Sequence, residues 1–333
     1  MGKLTVNSQQ STVNSQQSTD RIMSRVFGQR FQGNWFYSLW KFSRPHTIIG
    51  TTLSVLGLYL IAISLLPTPE SPFSYLGQLF AAWVACISGN IYIVGLNQLE
   101  DVAIDKINKP HLPLASGEFS REQGQIIVVV TAILALVTAF LSGPYLFWMV
   151  LISLAIGTAY SLPPIRLKRY PFWAALCIFS VRGAIVNLGL FLHYSWLLQL
   201  NLGIPFVVWV LTLFILVYTF AIAIFKDIPD MEGDLQYNIT TFTIQLGKQA
   251  IFNLARWVIT FCYLGIILVG LFRLAEANSI FLVVAHIVTL LLLWRRSRKI
   301  DLEDKNSIAS FYQFIWKLFF LEYLLFPTAC LLT

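Results

Sequence analysis

Charge is what this sequence has least of. Only 12% of its 333 residues are charged and 57% are hydrophobic, far from the roughly 25% charged residues of soluble domains. A water-facing globular surface is thereby excluded. Cysteine is scarce as well: Cys86, Cys177, Cys262 and Cys330 stand singly inside apolar runs without C-x-x-C spacing, which argues against both a disulfide framework and a thiolate metal centre. His46, His111, His193 and His286 also occur singly, and no pair has metal-binding spacing. The N-terminal stretch "TVNSQQSTVNSQQSTD" writes a seven-residue polar unit twice. It has no apolar h-region of a secretory signal and too few arginines for an organelle transit peptide. Residues 1–34 therefore read as a disordered tail, and 35–333 as one transmembrane domain.

What is abundant is apolar length. Nine stretches are long enough to cross a hydrocarbon core of about 30 Å: His46–Leu66, Leu76–Gln98, Gly124–Ser142, Tyr145–Leu162, Phe172–His193, Ile204–Phe225, Ile251–Phe272, Ile280–Trp294 and Phe311–Leu332. The expected fold is all-α and polytopic. Lysine and arginine fall into alternate connections, from Arg21–Arg44 before the first stretch to Arg295–Lys305 after the eighth, and the opposite loops carry only Arg273. This asymmetry predicts a cytoplasmic N-terminus and makes the net charge of +7 a topology signal. No single basic face collects these charges, so a nucleic-acid partner is not expected.

The scarce carboxylates are concentrated. In "GLNQLEDVAIDKINKPHLPLASGEFS", Asn97, Asp101 and Asp105 advance by four residues and would stack on one helical face. Asn90 extends the stripe into the membrane, and Pro110 and Pro113 end the helix. A second cluster closes the sixth stretch in "IFKDIPDMEGD", with Asp227, Asp230 and Asp234 at i, i+3 and i+7. Carboxylates near a bilayer are costly, and two converging clusters repel each other and any phosphate. Hard divalent cations remove both repulsions, because Mg²⁺ binds through one or two carboxylates plus substrate phosphates. Lys226, Lys168 and Arg182 would add positive charge for a diphosphate. Lys109, Tyr160 and Asn187 are further candidates for substrate contact. The chemistry this suggests is ionisation of an allylic diphosphate in an apolar chamber that excludes water, walled by some of the 26 Phe, 13 Tyr and 10 Trp.

Other readings fit the same residues. A single acidic cluster at a helix end is commonly a solvated terminus, and Arg182 could snorkel to the nearer interface. A carboxylate-lined transporter would also place acids in membrane helices, although usually near the midplane. A non-catalytic scaffold would leave the acidic columns without a task.

Asn97-x₃-Asp101-x₃-Asp105 resembles the first motif of the UbiA-type intramembrane prenyltransferases, and Lys226-Asp227-x₂-Asp230-x₃-Asp234 the second. The stretches "NQLEDVAIDKINKPHLPLASGEFS", "YSLPPIRLKRYPFWAALCIFSVRGAIVNLG" and "FKDIPDMEGDLQYNITTFTIQLGKQ" resemble its cyanobacterial homogentisate-prenylating branch. The resemblance implies nine helices around a central cavity, with loops after the second and sixth capping its cytoplasmic side. Asn97, Asp101 and Asp105 would hold one Mg²⁺ ion and Asp227, Asp230 and Asp234 a second, bridging a diphosphate held by Lys226, Lys168 and Arg182. Asp101, Asp105, Asp227 and Asp234 would be the catalytic carboxylates. The implied partners are phytyl diphosphate, homogentisate and membrane lipid, and the implied reaction is transfer of the phytyl group with loss of CO₂. The implied setting is the plasma or thylakoid membrane of a cyanobacterium. Donors with solanesyl or geranylgeranyl chains and other aromatic or tetrapyrrole acceptors remain alternatives, and Arg182 is also a candidate to bind the acceptor carboxylate.

Overall fold

The computed structural model describes residues 34–67, 74–200, 203–237, 239–272 and 274–333. The expected tail, apart from Asn34, and Arg273 lie outside them. Among the described residues, nine helices are long and apolar enough to span a membrane: α2 (Pro45–Ser64), α3 (Leu76–Glu100), α5 (Arg121–Ser142), α6 (Pro144–Ser161), α7 (Pro171–Leu197), α8 (Phe206–Phe225), α10 (Lys248–Leu271), α11 (Ser279–Ser297) and α12 (Lys305–Leu331). The shorter helices at the polar ends include α1 (Trp35–Phe42), α4 (Val102–Asn108) and α9 (Met231–Gln236). No strand occurs among the described residues.

The spans match the hydrophobic runs, and the starts of α5 and α12 are moved outward by polar caps that hydropathy does not register. Ser120 accepts from Gln123 N while the Gln123 side chain accepts from Ser120 N, and this reciprocal pair starts α5 at Arg121. Asp304 likewise accepts from Asn306 N and Ser307 N, so α12 begins at Lys305. The "SGPY" hairpin is as tight as expected, with Gly143 alone between α5 and α6.

The spans close into a ring in which each packs on its sequence neighbours and α12 returns to α2. Within it lies a cavity of about 770 Å³. Of the described residues, those lining it on the spans come from α2, α3, α6, α7, α8 and α12, whereas α5, α10 and α11 contribute none and pack outside. The expected aromatic wall is thinner than composition suggests. Tyr37, Tyr160, Tyr312 and Trp316 line the cavity, but no Phe among the described residues does; Phe225, Phe252 and Phe311 pack together in the core instead. All four cysteines are free and buried.

Helix α1 lies beside the cavity mouth. It exposes Trp35, Phe36, Tyr37 and Trp40, the residue types that settle at a membrane interface. Its Lys41 and Ser38 both bind Glu118, which ties it to the loop after α4.

Candidate active site

The two acidic motifs meet at one end of the cavity, and Asn97, Asp101, Asp105, Asp227, Asp230 and Asp234 all line it. The first motif is not one continuous helix. Helix α3 stops at Glu100, Asp101 takes φ −111° and ψ 13°, and α4 restarts at Val102. The column survives the hinge because Asn97 Nδ2 donates to Asp101 Oδ2 at 2.9 Å and Asp105 N donates to Asp101 O at 2.7 Å. The bend lets α4 turn over the mouth and reach the second motif. Glu100 lies away from the column and approaches the exposed Arg121 at 4.0 Å.

Basic side chains from distant segments cover the acids. Asp101 Oδ1 accepts from Arg166 at 3.1 Å and also pairs with Lys168. Lys226 pairs with Asp227 at 3.0 Å, and Lys109 of the first motif's loop pairs with Asp230 of the second. Arg44 donates to Asn97 Oδ1 at 3.4 Å. In the sequence Arg44 and Arg166 stand only among the alternating basic charges that predict topology. Both sit at positive φ, 53° and 37°, a conformation that costs a residue with a Cβ about 1 kcal/mol or more and persists where surroundings hold it.

A second contact ties the arms together. Gly233 N, between Asp230 and Asp234, donates to Asn108 Oδ1 at 2.9 Å, and a Cβ at position 233 would lie 2.5 Å from that oxygen. Only glycine permits this approach. Asn108 continues the Asp101–Asp105 column by three residues, the one sequence signal that could have revealed it. Asn108→Ala is expected to weaken apparent Mg²⁺ affinity about 10-fold, as loss of an outer partner does at metal sites. Unchanged Mg²⁺ dependence with a lowered melting temperature would reduce Asn108 to a purely structural contact.

Burial dominates the electrostatics at this end. Burial pushes the Asp105 carboxyl above its ordinary range despite Arg44 and Lys109, and its Oδ2 is buried without a hydrogen-bond partner. Burial also raises Asp227, only partly offset by Lys226. Asp234 is pushed up to about 7 by burial and then by Asp230 and Asp227. Burial pulls Lys168 down in spite of Asp101. It pulls on Lys226 too, but Asp227, Tyr160 and Asp230 together outweigh it and hold that ammonium well above its usual value. Among the described residues no three His, Cys, Asp or Glu side chains converge closely enough to hold an ion unaided. Mg²⁺ does not require such a cage, since phosphate and water complete its shell. The hard oxygen donors and the orphaned Asp105 oxygen suit that ion.

Because Asp234 holds its proton more tightly in the folded chain than in the unfolded one, stability falls as pH rises from about 4 to about 7 and stays low above that. In chelator, the melting temperature should therefore drop between about pH 5 and about pH 7. That drop should shrink in Asp234→Asn, and Mg²⁺ should raise the wild-type value more at the higher pH. The same slope in both proteins would contradict the assignment.

The remaining candidates separate. Tyr160 lines the cavity within electrostatic reach of Asp101, Asp227 and Lys226. Lys109, Lys168 and Lys226 line the mouth, and so does His111. Arg182 lines the cavity away from the acids, over the rings of Trp316 and Phe319 at 5.3 and 5.8 Å. Asn187 is fully buried and does not line it. Its Nδ2 donates to Gly183 O and its Oδ1 accepts from Tyr323 OH, both at 2.7 Å. The substrate contact expected of Asn187 is thus replaced by an internal bond, because its side chain points back along α7 into the α12 interface.

The profile of the UbiA prenyltransferase family matches residues 50–318. Homogentisate phytyltransferase of Synechocystis sp. is 55% identical over 296 residues, covering 88% of this chain and 95% of that protein. The chloroplastic homogentisate phytyltransferase 1 of Arabidopsis thaliana is 42% identical over 298 residues, covering 87% and 74%. Among solved structures, a UbiA homolog from Archaeoglobus fulgidus bound to GPP and Mg²⁺ superposes with a TM-score of 0.62 at 16% identity, over 89% of this chain and 100% of that one.

Proposed function

Because the chain belongs to the UbiA prenyltransferase family, we propose that its two acidic arms hold phytyl diphosphate and that it transfers the phytyl group to homogentisate. It is an integral membrane protein and an aromatic prenyltransferase, so the transporter and scaffold readings give way. The product is 2-methyl-6-phytylbenzoquinol, a tocopherol precursor. The observation that carries this reading is the meeting of two acidic motifs, more than 120 residues apart, at one end of a cavity otherwise bounded by apolar spans. Its volume falls within the roughly 300–1,000 Å³ of small-molecule sites.

The enzyme depends on a divalent metal, in keeping with the relative bound to GPP and Mg²⁺. We assign one ion to Asn97, Asp101 and Asp105 and another to Asp227, Asp230 and Asp234. Bound Mg²⁺ supplies a Lewis acid that neutralises charge developing on the diphosphate. Lys109, Lys168 and Lys226, now held by aspartates, are the cations available to the diphosphate, with Arg44 and Arg166 beside them. The C1–O bond breaks with its electron pair leaving on the diphosphate, and a ring carbon of the hydroquinone forms the new bond to C1. Loss of CO₂ returns a pair to the ring, and the proton of the alkylated carbon ends on the exocyclic carbon as part of the new methyl group. No side-chain base is needed for this balance. The apolar wall keeps water from the C1 cation.

The lysine and arginine asymmetry supports a cytoplasmic N-terminus with the acidic mouth on that side, and the Synechocystis relative favours a cyanobacterial plasma or thylakoid membrane. The deciding assay incubates purified protein with labelled homogentisate and phytyl, geranylgeranyl or solanesyl diphosphate, with and without Mg²⁺. Product is expected with phytyl diphosphate and Mg²⁺ and not in chelator. Preference for another donor would reassign the chain, and no product with any donor would refute the reading.

A further inference from the structure

Every lysine lining the cavity is paired with a carboxylate: Lys41 with Glu118, Lys109 with Asp230, Lys168 with Asp101 and Lys226 with Asp227. Arg44 donates into the first motif. Among the described residues Arg182 alone of these cavity cations has neither an ion pair nor a hydrogen bond to another side chain. An unpaired cation this far into a span is costly and marks a functional position.

Its placement is built. Residues Ser180–Ile185 form a π-helical turn, a bulge that re-aims side chains and recurs at functional sites. The bulge is fixed from behind. A Cβ on Gly183 would lie 2.4 Å from Leu216 Cα, so α7 and α8 touch backbone to backbone there, and Asn187 caps the Gly183 carbonyl while Tyr323 holds Asn187. In front, Gly50 leaves room, since a Cβ there would lie 3.0 Å from Arg182 Nη1. Gly50 is six residues along α2 from Arg44, or about 9 Å at helical rise. The guanidinium therefore lies at the level of Gly50, deeper in the cavity than the Arg44–Asn97 contact, against Trp316, whose ring is 4.9 Å from that of His46.

We propose that Arg182 binds the carboxylate of the aromatic acid acceptor, holding its ring between the guanidinium and the prenyl C1 at the acidic mouth. This rests on the prenyl transfer proposed above and, of the two roles the sequence left open for Arg182, takes the acceptor carboxylate in place of the diphosphate. The diphosphate already has three lysines and two arginines at the mouth. Of the reacting groups, only the acceptor carboxylate needs a cation deeper in. Arg182 presents a planar fork to it while Trp316 stacks on the guanidinium.

The test uses the full chain in detergent. With Arg182→Gln, KM for homogentisate is expected to rise roughly 10–100-fold, the range for a hydrogen bond to a charged group, while KM for the prenyl diphosphate stays within about twofold. Arg182→Lys should recover part of the loss. Wild type should bind homogentisate far better than its uncharged methyl ester, and the glutamine variant should bind the two about equally. Donor KM raised with homogentisate KM unchanged would return Arg182 to the diphosphate and overturn the proposal. Equilibrium binding of labelled homogentisate in Mg²⁺ and pyrophosphate keeps the test independent of turnover. If wild type binds but forms no product with any donor, the function reading fails alone, whereas equal binding by wild type and both variants sinks the Arg182 assignment alone.

Discussion

Asp101→Asn and Asp227→Asn should each lower kcat/KM by about 10²–10³-fold, the loss seen when one electrostatic contact to a developing charge is removed. The two residues sit on different arms, after α3 and after α8, so the same loss from either is the signature of a joint site. Asparagine keeps the volume and an oxygen donor while removing the charge that draws a divalent ion. Mg²⁺ dependence should shift toward higher concentration in both variants. The replacements free Lys168 and Arg166 in one case and Lys226 in the other, so melting temperature must be followed alongside. Activity retained within tenfold on one arm alone would mean that this arm does not take part in ionising the donor.

His286→Leu should destabilise the fold by about 3–5 kcal/mol. His286 on α11 and Glu322 on α12 are 0% and 1% exposed, with Nε2 3.1 Å from both carboxylate oxygens. The Nδ1 atom faces Leu282 O at 2.7 Å, and a carbonyl can only accept, so that nitrogen carries a proton. The pair is thus imidazolium with carboxylate or imidazole with carboxylic acid, neutral in sum either way. Leucine at 286 would strand Glu322 between helices with no partner. Replacing both by leucine should restore most of the loss, since an apolar pair of similar volume can match a buried ion pair. Thermal unfolding in detergent reads the cycle. Equal destabilisation by the single and double variants would show that packing, not charge, carries the effect. Neither residue lines the cavity, so KM values should not move.

These two predictions draw on different kinds of information. Asp101 and Asp227 were legible from spacing beside a long apolar run. The coupling of His286 to Glu322 was not, because an isolated histidine and an isolated glutamate in separate runs carry no pattern. The same holds for Arg44 and Arg166, which looked like interface charges until their side chains were seen on the first motif. Asn187 failed in the opposite direction: a polar residue near Arg182 suggested a ligand contact, yet its amide is spent on the π-turn.

The number of spans, their approximate ends and the identity of the acidic residues were fixed by the sequence alone, since transfer of about 20 apolar residues into hydrocarbon is decided locally. Which acids face one another, where α3 breaks, which lysine neutralises which aspartate and where Arg182 points were decided only by packing between helices far apart in the chain. Those outcomes depend on close approaches such as Gly183 against Leu216 and Gly233 against Asn108, and a contact between distant residues leaves no periodicity in either segment to be read.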